Sequence, residues 1–124
     1  MEKNNFKELK ETIIQVALRI AKRGEGAIFV IGETNYKLLV DQQVSPFKVV
    51  DNPKLLESLA LMDGAVIINK KGFVKAYGAM IKSISPLKNF GTRHSAALTA
   101  SKRKGNLVII VSEEDRKIKV LKDG

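Results

Sequence analysis

The sequence predicts a single α/β domain built on a mixed central β-sheet flanked by helices on both faces. Three observations carry that expectation. Short apolar runs, several of them bounded by glycine, recur along the chain and have the character of strands buried on both sides. Between them lie segments whose apolar residues step by three and four, as on one face of a helix. Some neighbouring runs are joined only by short polar turns, so part of the sheet pairs as hairpins and it is not purely parallel.

Each element follows from local chemistry. Over 6–23, Phe6, Leu9, Ile13, Val16, Ala17 and Ile20 form one helical stripe. Lys22 and Arg23 in its last turn complement the helix dipole, and Gly24 ends it. Residues 27–31 read as a buried strand closing at Gly32, and 37–40 as a further short strand. Asp51 or Asn52 caps a helix with Pro53 in its first turn, running through Leu55, Leu56 and Leu59 to Met62. Asp63-Gly64 interrupts, and 65–68 and 73–81 form a hairpin around Lys70-Lys71-Gly72. After an irregular stretch around Pro86, Thr92 caps a helix carrying Ala96, Ala97, Leu98 and Ala100, which ends in Lys102-Arg103-Lys104 before Gly105. Residues 107–111 are the clearest buried strand, and 118–121 pairs with it across Glu113-Glu114-Asp115.

Composition narrows the function. With 124 residues, 44% hydrophobic and 28% charged, the whole chain, 1–124, is expected to be one globular domain. There is no cysteine, which excludes disulfides, thiolate nucleophiles and Cys-ligated metals. The lone histidine excludes a His-pair metal site. No apolar run reaches the roughly 18–20 residues of a membrane-spanning helix, and the N-terminus is polar, so a soluble cytoplasmic protein is expected. The net charge of +9 favours anionic partners: nucleic acid, nucleotide phosphates or an acidic membrane surface. Nucleic acid fits less well, because the basic runs lack interleaved aromatics and the chain has two Tyr, five Phe and no Trp.

Three segments bend local rules. Asp63-Gly64, between a helix and a central strand, is either an ordinary turn or a carboxylate placed at a strand edge. In the second case it is suited to a hard divalent cation or to accepting a proton. In Gly91-Thr92-Arg93-His94-Ser95 the hydroxyl cap is routine, but cations in a first turn oppose the helix dipole. Either the N–H groups and Arg93 cradle an anion, or Arg93 reaches solvent and His94 is partly buried. Ser112-Glu113-Glu114 is a solvated hairpin turn, or else a hydroxyl and carboxylate at a strand end that grip a nucleotide.

Taken in order, Asp63-Gly64-Ala65, Gly91-Thr92-Arg93-His94 and Val111-Ser112-Glu113-Glu114 resemble the diadenylate cyclase domain family, as do the strand at 26–32 and the helix before it. That family condenses two ATP molecules into cyclic di-AMP with release of pyrophosphate. The resemblance implies that Asp63 binds a divalent cation, Mn²⁺ or Mg²⁺, and helps deprotonate the attacking hydroxyl. It implies that Gly64 and Ala65 admit the nucleotide, that Gly91, Thr92, Arg93 and His94 receive the phosphates, and that Ser112 and Glu113 also contact ATP. Met80 and Ile81 align with the adenine contact. Two facing copies of one site imply a head-to-head homodimer. The family usually reads Arg-His-Arg where this chain has Ser95 in third place, and some members carry a histidine where it has Met62. The alternatives are a basic nucleic-acid-binding domain and a degenerate domain that binds ATP or cyclic di-AMP without turnover.

Overall fold

A computed structural model of the chain describes residues 3–81 and 105–122. Its elements are α1 (Lys3–Lys22), β1 (Ala27–Ile31), β2 (Tyr36–Leu38), a 3-10 turn (Val49–Asp51), α2 (Pro53–Ala60), β3 (Ala65–Ile68), β4 (Val74–Ile81), β5 (Leu107–Val111) and β6 (Ile118–Lys122). The six strands form one sheet in the order β2-β4-β3-β1-β5-β6. Only the β1–β3 pair is parallel, and β1–β5, β2–β4, β3–β4 and β5–β6 are antiparallel. The sheet is mixed, as expected.

The apolar stripe of α1 is buried against the sheet from Leu9 onward, with Ile13, Val16, Ala17 and Ile20 fully enclosed, while Phe6 at its start is exposed. Each buried Ile or Leu contributes about 1.5–3 kcal/mol relative to exposure. Gly24, at φ +75°, closes the helix: its N–H donates to Ala21 O and that of Glu25 to Ile20 O, the two bonds of a Schellman cap. In α2, Asn52 is the cap, accepting from Leu55 N at 3.2 Å, with Pro53 in the first turn. Both helices lie on one face, packed on Phe29, Ile31, Val66, Ile68, Tyr77, Ile109 and neighbours. The other face, built from Ile28, Val30, Ile67, Ala79, Ile81, Val108 and Ile110, is also buried. The helix expected to start at Thr92 lies outside the described residues.

Several boundaries differ from expectation: α1 covers Lys3–Lys22 rather than 6–23, β4 starts at Val74 rather than 73 and β6 ends at Lys122 rather than 121. The 37–40 strand is instead Tyr36–Leu38, because the chain leaves the β4 ladder at Leu39, whose N–H still reaches Gly78 O at 2.8 Å. The second helix stops at Ala60 rather than Met62.

The β3–β4 pairing is irregular. Ala65 faces Ala79 but Ile67 faces Ala76, so Tyr77 and Gly78 together oppose Val66 in a bulge. Two side-chain amides replace missing main-chain partners. Asn106, buried before β5, accepts from Glu33 N at 3.0 Å and donates to Glu33 O at 2.6 Å. Gln42 does the same for Tyr77, accepting from its N–H at 3.1 Å and donating to its carbonyl at 2.9 Å.

Candidate functional site

The registers place three of the sequence-marked segments at one edge of the sheet. Ala65 opens β3 and faces Ala79 near the end of β4. Phe29 pairs with Val66, so the start of β1 lies beside the start of β3. Ala27, in turn, pairs with Val111 at the end of β5. Asp63-Gly64, Met80-Ile81 and Ser112-Glu113 therefore share an edge. Asp63 and Ser112 flank the start of β1, two strand spacings or roughly 10 Å apart.

Asp63 is exposed, as a carboxylate meant to meet a ligand must be, and it sits on a turn that β3 immediately makes rigid. Ala65 is buried. Gly64 has φ +105°, and a Cβ there would lie 2.7 Å from both the Gly78 carbonyl carbon and the Ala79 nitrogen. The close backbone approach that the glycine was expected to permit is thus made first of all by β4. Gly78, at φ +58°, interlocks from the other side: its Cβ position is 3.7 Å from Asp63 O and 2.6 Å from a Val40 methyl. Met80 is 45% exposed at this edge, while Ile81 is buried.

Ser112 is buried and committed locally: its N–H donates to Lys117 O at 2.9 Å, closing the β5–β6 turn. The Lys117 N–H, the Ser112 hydroxyl and the nearby Lys117 and Lys119 charges hold the exposed Asp115 carboxyl below its ordinary range. Glu113 is exposed. Gly91, Thr92, Arg93, His94 and Ser95 lie outside the described residues.

Among the described residues no cluster of three acidic, His or Cys side chains is disposed to hold a metal ion. The exposed single carboxylate of Asp63 fits the mode in which a hard cation takes one or two protein oxygens and completes its shell with substrate phosphates and water. The described residues form a small hollow at the opposite edge, of about 70 Å³, lined by Leu9, Lys48, Lys70, Lys71 and others, beside the β3–β4 turn. It is smaller than the roughly 300–1,000 Å³ of small-molecule pockets.

Gln42, Tyr77, Gly78 and Asn106 were not marked by sequence. For Gly78 a signal existed, since a glycine inside a strand commonly marks a bulge. For the two amides there was none, because each meets its partner from far along the chain.

Comparison with known proteins shows the family and the fold. Residues 15–124 match the model of the DAC family, described as DisA bacterial checkpoint controller nucleotide-binding. A diadenylate cyclase of Methanocaldococcus jannaschii is 30% identical over 141 aligned positions, covering 100% of this chain and 45% of that protein. The chain thus spans less than half the length of that relative. The crystal structure of a double mutant of DacA from Staphylococcus aureus superposes with a TM-score of 0.65 at 26% identity, covering 99% of this chain and 86% of that one. A hypothetical membrane-spanning protein from Bacillus cereus shares the fold, with a TM-score of 0.67 at 22% identity over 93% of this chain and 60% of that one. No helix among the described residues of this chain is long and apolar enough to cross a membrane.

Proposed function

Because the chain belongs to the DAC family of DisA-type nucleotide-binding domains, we propose that it is a diadenylate cyclase, joining two ATP molecules into cyclic di-AMP. The supporting observation is the shared sheet edge, where an exposed carboxylate precedes β3 beside the ends of β4 and β5. In the reaction the 3′-oxygen of one ATP forms a bond to the α-phosphorus of the other, the bond to the β-phosphate breaks, and pyrophosphate leaves. A second, identical step closes the ring. Most of the acceleration comes from positioning and charge neutralisation, as in phosphoryl transfer generally.

Asp63 orients the attacking hydroxyl and accepts its proton. A divalent cation held by Asp63 and the phosphates supplies charge neutralisation when bound. Gly64 and Ala65 present main chain to the nucleotide, and the exposed Met80 at the end of β4 faces the adenine, with the buried Ile81 supporting that end of the strand from the core. Thr92, Arg93 and His94, following Gly91, receive the phosphates, and Glu113 and Ser112 border the same site from β5. Glu113 is exposed at this edge, whereas Ser112 is buried. The excess of 22 basic over 13 acidic residues favours gathering two polyanions, in the cytoplasm where ATP is made.

Each ATP provides one hydroxyl and one phosphorus, which suits two copies of the site facing each other in a head-to-head homodimer. Activity is then expected to rise faster than linearly with enzyme concentration, and strict linearity down to nanomolar protein contradicts a transient dimer. The assignment itself is tested by incubation with ATP and Mn²⁺, Mg²⁺ or Co²⁺ and chromatographic separation of the products. Cyclic di-AMP is the expected product. Its absence with every metal, with ATP binding retained, instead identifies a degenerate binding domain, the outcome that Ser95 in place of arginine would explain.

A further inference from the structure

Where β2 leaves the sheet, the chain does not abandon β4. Leu38 faces Ala79, and Leu39 N still donates to Gly78 O, but the next β4 residue, Tyr77, meets no strand partner on this side. The Gln42 amide takes that place, engaging both the N–H and the carbonyl of Tyr77 and also donating to Val40 O at 3.1 Å. The attachment is reciprocal. The buried Tyr77 hydroxyl accepts from Gln43 N and from Val44 N, the latter at 3.1 Å. Loop and bulge thus grip each other through two side chains about 35 residues apart in sequence.

The bulge so gripped is the one against which the candidate site rests. Tyr77 and Gly78 are its two residues. Gly64 abuts the Gly78–Ala79 peptide, and Val40, tied by Gln42, covers Gly78. A bulge left unpinned on its outer side has alternative pairings with β3, one for each way of distributing the extra residue. Each would shift the Gly78–Ala79 peptide, and with it Asp63-Gly64. Gln42 itself is exposed, so water replaces its hydrogen bonds when it is removed and the fold loses little; water does not, however, impose their direction.

We propose that Gln42 is a positioning residue: its amide acts as a surrogate strand partner for Tyr77, fixing the β4 bulge and thereby the placement of the Asp63 carboxylate for the reaction. The proposal rests on the cyclase assignment for its functional part, and on the geometry alone for its structural part.

The test compares the full chain with Gln42→Ala and Gln42→Glu, and with Gln43→Ala as a neighbouring control. Initial rates with ATP and Mn²⁺, thermal unfolding and amide hydrogen exchange at Gly64, Gly78 and Ala79 are measured on each. In Gln42→Ala, kcat should fall roughly 10- to 100-fold, the scale of a small misplacement of a reacting group. KM for ATP should change by less than about threefold, since binding contacts remain. The melting temperature should hold, and exchange at the three amides should accelerate at least about tenfold as the bulge opens locally. Gln42→Glu keeps size and acceptor but sets an oxygen against the Tyr77 carbonyl, and should lose kcat as fully, whereas Gln43→Ala should match wild type. Unchanged kcat in both Gln42 variants, or a loss that merely follows the unfolded fraction, overturns the proposal. If the wild-type chain makes no product, the cyclase assignment fails by itself, and exchange still decides the positioning: unaltered exchange at Gly64 and Gly78 overturns it, and accelerated exchange upholds it.

Discussion

Asp63→Asn is expected to reduce conversion of ATP by roughly 10²- to 10⁴-fold, the range for loss of a positioned proton acceptor, while leaving the protein folded. The substitution is nearly isosteric and the side chain is exposed, so unfolding free energy should move by no more than about 0.5 kcal/mol. The amide oxygen is a weaker ligand for a hard cation and does not take up the hydroxyl proton at neutral pH. Product formation and urea unfolding on the same preparation separate the two effects. Full turnover in Asp63→Asn removes this residue from the chemistry.

The second large effect is on stability. Gly64→Ala places a methyl 2.7 Å from two main-chain atoms of β4, on a backbone at φ +105°. Conformational strain of about 1–3 kcal/mol adds to a comparable overpacking cost, since a strand backbone cannot move aside as a flexible side chain would. The informative control is Gly72→Ala. That glycine also has positive φ, +92°, but its Cβ would meet only the two Leu9 methyls, at 3.6 and 3.8 Å. The difference between the two unfolding free energies isolates the close approach, and should be about 1–3 kcal/mol in favour of Gly72→Ala. Equal costs would mean that β4 yields at Gly78, contrary to the interlock described above. Turnover is expected to be lost in Gly64→Ala and retained in Gly72→Ala.

How far the sequence could be read depended on whether the determining interactions were local. β1, β3 and β5 were legible to the residue because strands buried on both faces are continuous apolar runs, ended by Gly32 or by a polar turn. Asn52 and Pro53 announced α2 because a cap and its first turn are neighbours in sequence. β4 lacks a strict alternation for a physical reason: the bulge at Tyr77-Gly78 puts residues of both faces in succession and destroys the period of two. β2 was misplaced because Leu39 and Val40 are as apolar as Leu38, yet they leave the ladder, and Val40 covers Gly78 instead.

The candidate site divides the same way. Asp63-Gly64 was visible as a break between a helix and a strand, and its position beside Met80 and on the same edge as Ser112 follows from the β3–β4, β1–β3 and β1–β5 registers. Gln42 and Asn106 were invisible. A side-chain amide that substitutes for a strand partner needs no local pattern, only a gap in a ladder tens of residues away. Ser112 was visible as a hydroxyl at the end of β5, and its burial and the bond from its N–H to Lys117 O come from the hairpin that follows.

The central claim is that the edge where β3 begins and β4 and β5 end receives the nucleotide. It is tested most directly by titrating the isotopically labelled chain with a non-hydrolysable ATP analogue and Mg²⁺ while following backbone amide resonances. The account predicts saturable shifts at Gly64, Ala65, Met80, Ile81 and Glu113, and unaltered resonances at Lys70, Lys71 and Gly72 on the far edge. Shifts confined to that far edge, or none at millimolar nucleotide, would contradict it.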